Sequence, residues 1–177
     1  MTEKNDTSML TEKYIFRNIR QEEIAQTSEI EQICFPPNEA CSYEHMEDRV
    51  KKAPELFLVA EDRATGKIAG FLNGLATDRE HLTDDFFTDA EMHDPKGKNI
   101  MLLGLDVLPK YQHQGLAREL VRCYKEREKV NGREKLILTC LPDKVEMYQK
   151  FGFKDHGIGD SVWGGEAWHE MSVELWG

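Results

Sequence analysis

The chain has 177 residues, 40% hydrophobic and 32% charged, with a formal net charge of −10. That is enough length for one domain with a proper core, and the acidity argues against a nucleic-acid partner, whose phosphates would be repelled. No apolar run approaches bilayer-spanning length, and the polar start, Met1 to Lys13, lacks the hydrophobic middle of a secretory signal, so a cytoplasmic protein without a membrane partner is expected.

Met1 to Lys13 shows no periodicity and reads as a flexible arm ahead of a single domain, 14–177. Tyr14-Ile15-Phe16 predicts a first strand. Gln21 to Phe35 has a helical pattern, with Ile24, Ile30, Ile33 and Cys34 on one face, and Pro36-Pro37 ends it. A second helix starts after Ser42, whose hydroxyl can accept from a first-turn N–H, with Met46, Val50 and lysine stems turned inward. Leu56 to Ala60 is apolar throughout, as in a strand buried on both faces, and turn chemistry at Ala64 to Lys67 leads to a partner strand ending near Ala76. Gly70 and Gly74 in that partner predict a bulge or a close backbone approach.

Asp78 to Lys98 is polar and acid-rich, anchored by Phe86 and Phe87, and is the lid candidate. His81 and His93 lack the tight spacing of metal ligands, so a solvated loop and no metal are expected there. The cysteines at 34, 41, 123 and 140 have no close-paired spacing either and read as reduced thiols. Asn99 to Val107 is the central strand. A tight turn joins it to an amphipathic helix with Leu116, Ala117, Leu120, Val121 and Tyr124 on one face. Lys135 to Leu141 is a further buried strand, Asp143 with Glu146 has capping-box spacing, and a short helix then carries Tyr148. The tail offers two strands around Gly164-Gly165. These elements sum to an α/β fold, a mixed, mostly antiparallel central sheet flanked by helices.

The strand-turn-helix at Leu103 to Val121 is how proteins build an anion cradle. The first N–H groups of a helix have no intrahelical partner, the helix dipole adds partial positive charge, and Gly115 lets the backbone approach a ligand. Gln112-x-x-Gly115-x-Ala117, following a strand that ends Leu105-Asp106-Val107, resembles the acetyl-CoA-binding motif of the GNAT N-acetyltransferases, and Tyr148-Gln149-Lys150-Phe151-Gly152-Phe153 resembles that family's second hallmark. The likeness runs from about Tyr14 to Leu175, and within the superfamily the pattern is most similar to arylalkylamine (serotonin-type) N-acetyltransferases.

The resemblance implies acetyl-CoA as cosubstrate, bound where two central strands splay apart. Its pyrophosphate would meet the turn Gln112, His113, Gln114, Gly115, Leu116, Ala117 and Arg118. The strand end Leu105, Asp106 and Val107 would hold the pantetheine and acetyl carbonyl, and Tyr148 would be the general acid toward the departing thiolate. The acceptor implied is a small-molecule primary amine attacking directly. A protein or peptide amine and a non-catalytic acyl-CoA-binding module are the alternatives, and monomer and homodimer both stay open. The serotonin-type enzymes use two histidines on the central strand, where this chain has Met101 and Leu103, so the proton route is open between Asp106, His156, His169, Glu170 and ordered water. Trp163 and Trp168 could line an acceptor pocket, with core packing favoured; Phe35 to Pro37 could floor it or simply join helices.

Overall fold

The computed structural model describes residues 9–176. One sheet of seven strands organises them: β1 (Tyr14–Asn18), β2 (Phe57–Asp62), β3 (Ile68–Thr77), β4 (Asn99–Val107), β5 (Lys135–Cys140), β6 (Lys154–Ile158) and β7 (His169–Glu174), in the order β1-β2-β3-β4-β5-β7-β6. Every neighbouring pair is antiparallel except β4 and β5. A parallel pair needs a crossover, and the amphipathic helix α4 (Leu116–Val130) supplies it.

Helices α1 (Ile24–Cys34) and α2 (Tyr43–Lys52) cover one face of the sheet, where Ile24, Ile30, Met46 and Val50 pack with Phe57, Val59 and Phe71. The other face carries the larger core, with Leu58, Leu72 and Leu75 against Leu120 and Tyr124 of α4 and Leu136 of β5. Ser42 caps α2 as expected, accepting from the His45 N–H at 3.2 Å. The residue α2 turns inward is Arg49 rather than a lysine, and Ile33 of α1 is exposed. Gly70 lets β3 and β4 close up, since a Cβ there would stand 2.5 Å from the Asp106 carbonyl oxygen. At Gly74 the expected bulge is present: Asn73 pairs with Gly104 and Gly74 with Leu102, leaving Leu103 as the extra residue.

Three other expectations are corrected. Residues 1–8 of the supposed arm lie outside the described residues, but 9–13 are helical, Leu10 is buried, and Lys13 Nζ donates to Gln114 Oε1 at 2.9 Å. The segment from Asp78 to Lys98 is a docked wall instead of a solvated loop. It contains the short helix α3 (Asp85–Thr88), buries Leu82 and Phe86, and holds His93 between the Ala76 N–H and Glu55. The capping box at Asp143 does not form, because Pro142–Lys144 makes a 3-10 turn that moves the start of α5 (Val145–Lys150) past it.

Candidate active site

The parallel pairing of β4 and β5 covers three residue pairs, Asn99 with Lys135, Ile100 with Leu136 and Met101 with Ile137. Beyond them the strands diverge, and a cleft of about 700 Å³ opens between Leu102–Val107 and Leu138–Leu141. The start of α4 faces it. Its N-cap is Gly115 at φ +82°, preceded by His113 at φ +61°, so the chain passes through two left-handed residues to aim the helix at the opening. The first helical bond runs from the Glu119 N–H to the Gly115 carbonyl, so the N–H groups ahead of it have no carbonyl within the helix to meet. A Cβ on Gly115 would find no heavy atom nearer than Leu10 Cδ1 at 4.0 Å, so the backbone there is open to a ligand.

Of the residues expected here from sequence, Leu105, Val107, Gln112, His113, Gly115, Leu116, Ala117, Arg118 and Tyr148 line the cleft. Gln112 braces the turn by donating through Nε2 to the Val107 carbonyl at 3.0 Å. Gln114 turns away, its Oε1 accepting from Lys13 and from Tyr14 Oη at 3.0 Å. Asp106 is buried and sits against Glu31 of α1. Two cations lie on the first turns of α4: Arg122 is committed to Glu119 and Glu126, while Arg118 is at the cleft.

Tyr148 reaches the cleft from α5, its ring edge-on to Phe151 and Phe153 with centroids 6.0 and 5.7 Å away. Burial pushes its phenol up, and charge at Cys140 and Asp106 pushes the same way, so the hydroxyl keeps its proton at neutral pH. Cys34, Cys41 and Cys140 also line the cleft, and burial drives their thiols up to about 11, 12 and 12. They are protonated and poor nucleophiles, which disfavours an acyl-cysteine route.

The far half of the cleft is walled by Phe35, Pro36, Phe87, Trp163 and Trp168. The tryptophans are therefore wall, not core: Trp163 stacks on Phe87 at 5.0 Å and donates to the Glu39 carbonyl, and Trp168 donates to the Trp163 carbonyl. Their indole N–H groups need partners, and irregular backbone supplies both, the connection after α1 at Glu39 and the tail at Trp163. The other proton-route candidates lie elsewhere. His169 is bound to Asp155, His156 to Ser172, and Glu170 to His81 and the Leu82 N–H.

Two buried charged residues that line the cleft escaped the sequence reading, Glu31 and Arg49. Glu31 lies on the buried stripe of α1 with Ile24, Thr27 and Ser28, a spacing of three, one and three that marks one helical face. The signal was present in the spacing but hidden by polar residue types.

The acetyltransferase (GNAT) family profile matches residues 24–153, from α1 to the residue before β6. Among proteins of known sequence the chain is 27% identical over 158 residues to YhcX of Bacillus subtilis (strain 168), named a probable hydrolase; the match takes in 85% of this chain but only 30% of that protein's length. Among solved structures it is similar to the loading GNATL domain of CurA from Lyngbya majuscula, with TM-score 0.78, 18% identity, and 92% and 98% of the two chains covered. It is also similar to yncA from Salmonella typhimurium, solved with its cofactor acetyl-CoA, with TM-score 0.63, 15% identity, and 92% and 94% covered. With the splayed strands, the helix start facing them and a family match over most of the described fold, the chain belongs to the acetyltransferase (GNAT) family.

Proposed function

We propose that the chain transfers the acetyl group of acetyl-CoA to a primary amine of a small molecule by direct attack. One observation carries the reading: the β4/β5 splay, the open backbone at Gly115 and the protonated Tyr148 hydroxyl all face one cleft. Family membership and the acetyl-CoA in yncA support the donor. In this reading the pyrophosphate lies on the turn His113 to Arg118, where helix-start N–H groups attract an anion. The thioester lies along the splayed end of β4, where backbone N–H groups can take charge on the tetrahedral intermediate without reorganising. Tyr148 donates a hydrogen bond to the departing thiolate.

An apolar-bodied small amine is favoured by the aromatic walls Phe35, Phe87, Trp163 and Trp168 around the acceptor half. Where the serotonin-type enzymes carry their histidine pair, Met101 is fully buried and Leu103 nearly so, and neither side chain can carry a proton. Thiol release from acetyl-CoA with a panel of small amines and N-terminal peptides tests the proposal. Small amines should be the faster acceptors. Faster peptides would move the acceptor to proteins, and tight acetyl-CoA binding with no release above buffer would leave a binding module.

A further inference from the structure

We propose that Glu31 and Asp106 act as one proton-accepting pair that deprotonates the acceptor ammonium. Glu31 comes from α1 and Asp106 from β4, and they converge over Gly104, whose lack of a side chain leaves room for them. A Cβ placed on Gly104 would stand 3.1 Å from Asp106 Oδ1, 3.3 Å from Asn73 Nδ2 and 3.6 Å from Glu31 Oε1. Gly104 and Glu31 both line the cleft.

Three of the four carboxyl oxygens, Asp106 Oδ1 and Oδ2 and Glu31 Oε1, meet no donor among the described residues; the fourth, Glu31 Oε2, accepts the Cys41 N–H at 3.0 Å. Two ionised carboxylates are acceptors only and cannot bond each other, so the arrangement calls for a single shared proton, which leaves one negative charge on the pair. Burial, and then the charge of Glu31, push Asp106 well above the ordinary carboxylate range. The groups facing the pair are the thiols of Cys34 and Cys41, the Tyr148 phenol and Arg49 of α2. Arg49 is buried beside Cys41, gives Nη2 to the Phe87 carbonyl, and leaves Nε and Nη1 without partners among the described residues. Orphaned buried carboxyl oxygens are rare where packing is the sole demand, because an apolar side chain would do better.

The proton balance closes without any further reagent. One N–H proton of the ammonium passes to the pair and on to water; the freed lone pair attacks the thioester carbon, the C–N bond forms and the C–S bond breaks. The second N–H proton ends on the sulfur, which leaves with Tyr148 hydrogen-bonded to it.

The inference rests on the amine-transfer reading, and two measurements separate them. The first is the pH dependence of kcat/KM for Glu31→Gln and Asp106→Asn, with acetyl-CoA affinity as the check on folding. At pH 7 both variants should lose on the order of 10²- to 10⁴-fold against an alkylamine, and the loss should shrink as the pH nears the amine's own pKa of about 10.4, where the neutral amine arrives unaided. A loss equal at every pH, or none, overturns the pair as base. The second is carboxyl-carbon NMR of the wild-type chain, which needs no acceptor. Two separated ionisations, one above the ordinary range, support the shared proton, and ordinary titration of both groups overturns it. If no amine in the panel is acetylated, the transfer reading fails while the titration still decides the pair.

Discussion

At the scale of single residues, Tyr148 and Asp106 are shifted the same way by the same cause and to opposite ends. Burial keeps the phenol protonated, as its proposed role of hydrogen-bond donor to a departing thiolate requires. Tyr148→Phe keeps the ring against Phe151 and Phe153 and deletes only the hydroxyl, so kcat should fall roughly 10²-fold with acetyl-CoA affinity unchanged. Wild-type turnover in that variant would leave the ring as packing alone. Burial also makes the Asp106 charge costly. Its folded pKa lies above the unfolded value, so the folded state binds more protons and stability falls as pH rises from about 4 through the folded value. Asn at 106 mimics the protonated form. Asp106→Asn should therefore melt a few degrees higher than wild type at pH 7, while the two converge near pH 4, as calorimetry at both pH values would show. Tyr148 and the turn around Gly115 were legible in sequence because each belongs to a short motif of fixed spacing. Glu31 and Asp106 were not read as a pair, because their chemistry arises only when α1 folds across β4 and no local pattern ties them together.

At the scale of elements, the segment from Asp78 to Lys98 shows how composition misleads when fold decides. Its acid-rich composition reads as a solvated lid, yet its carboxylates serve local bonds. Glu80 bridges Lys98 and Lys135, Asp84 holds Ser161 and the Val162 N–H, Glu91 meets Lys52, and Asp89 and Asp94 cap turns. Besides Glu31, the acid at the cleft comes from Glu39 and Asp143, on the connections after α1 and after β5. Burial, Glu166 and Asp143 together raise the Glu39 carboxyl, the mark of like charges gathered at one rim. An acceptor with a second ammonium group should accordingly outrun its neutral isostere several-fold at low salt and lose that advantage at high salt. Equal turnover of the two in dilute buffer would remove the rim from substrate selection. Strands β1 to β5 and the long helices were recognised to within three residues because hydrophobic pattern fixes them. The start of α5 was missed because a 3-10 turn led by Pro142 competed with the capping-box pattern.

At the scale of the whole molecule, the sheet is two half-sheets, β1 to β4 and β5 to β7, joined along three residue pairs and through α4. Beyond Met101 and Ile137 the lips of the seam, Leu102–Val107 and Leu138–Cys140, do not pair with each other. An extended, amide-bearing chain lying between them would find on each side the donors and acceptors a neighbouring strand would have supplied. In the proposed reading the donor substrate would work as a temporary clasp as well as a reagent. Its arrival should slow amide hydrogen exchange on both lips at once and raise the unfolding midpoint with donor concentration, whereas protection confined to the first turn of α4 would mean that only the phosphates are gripped. In that reading the molecule is mechanically most complete while loaded, and each turnover would end by unfastening it along that line.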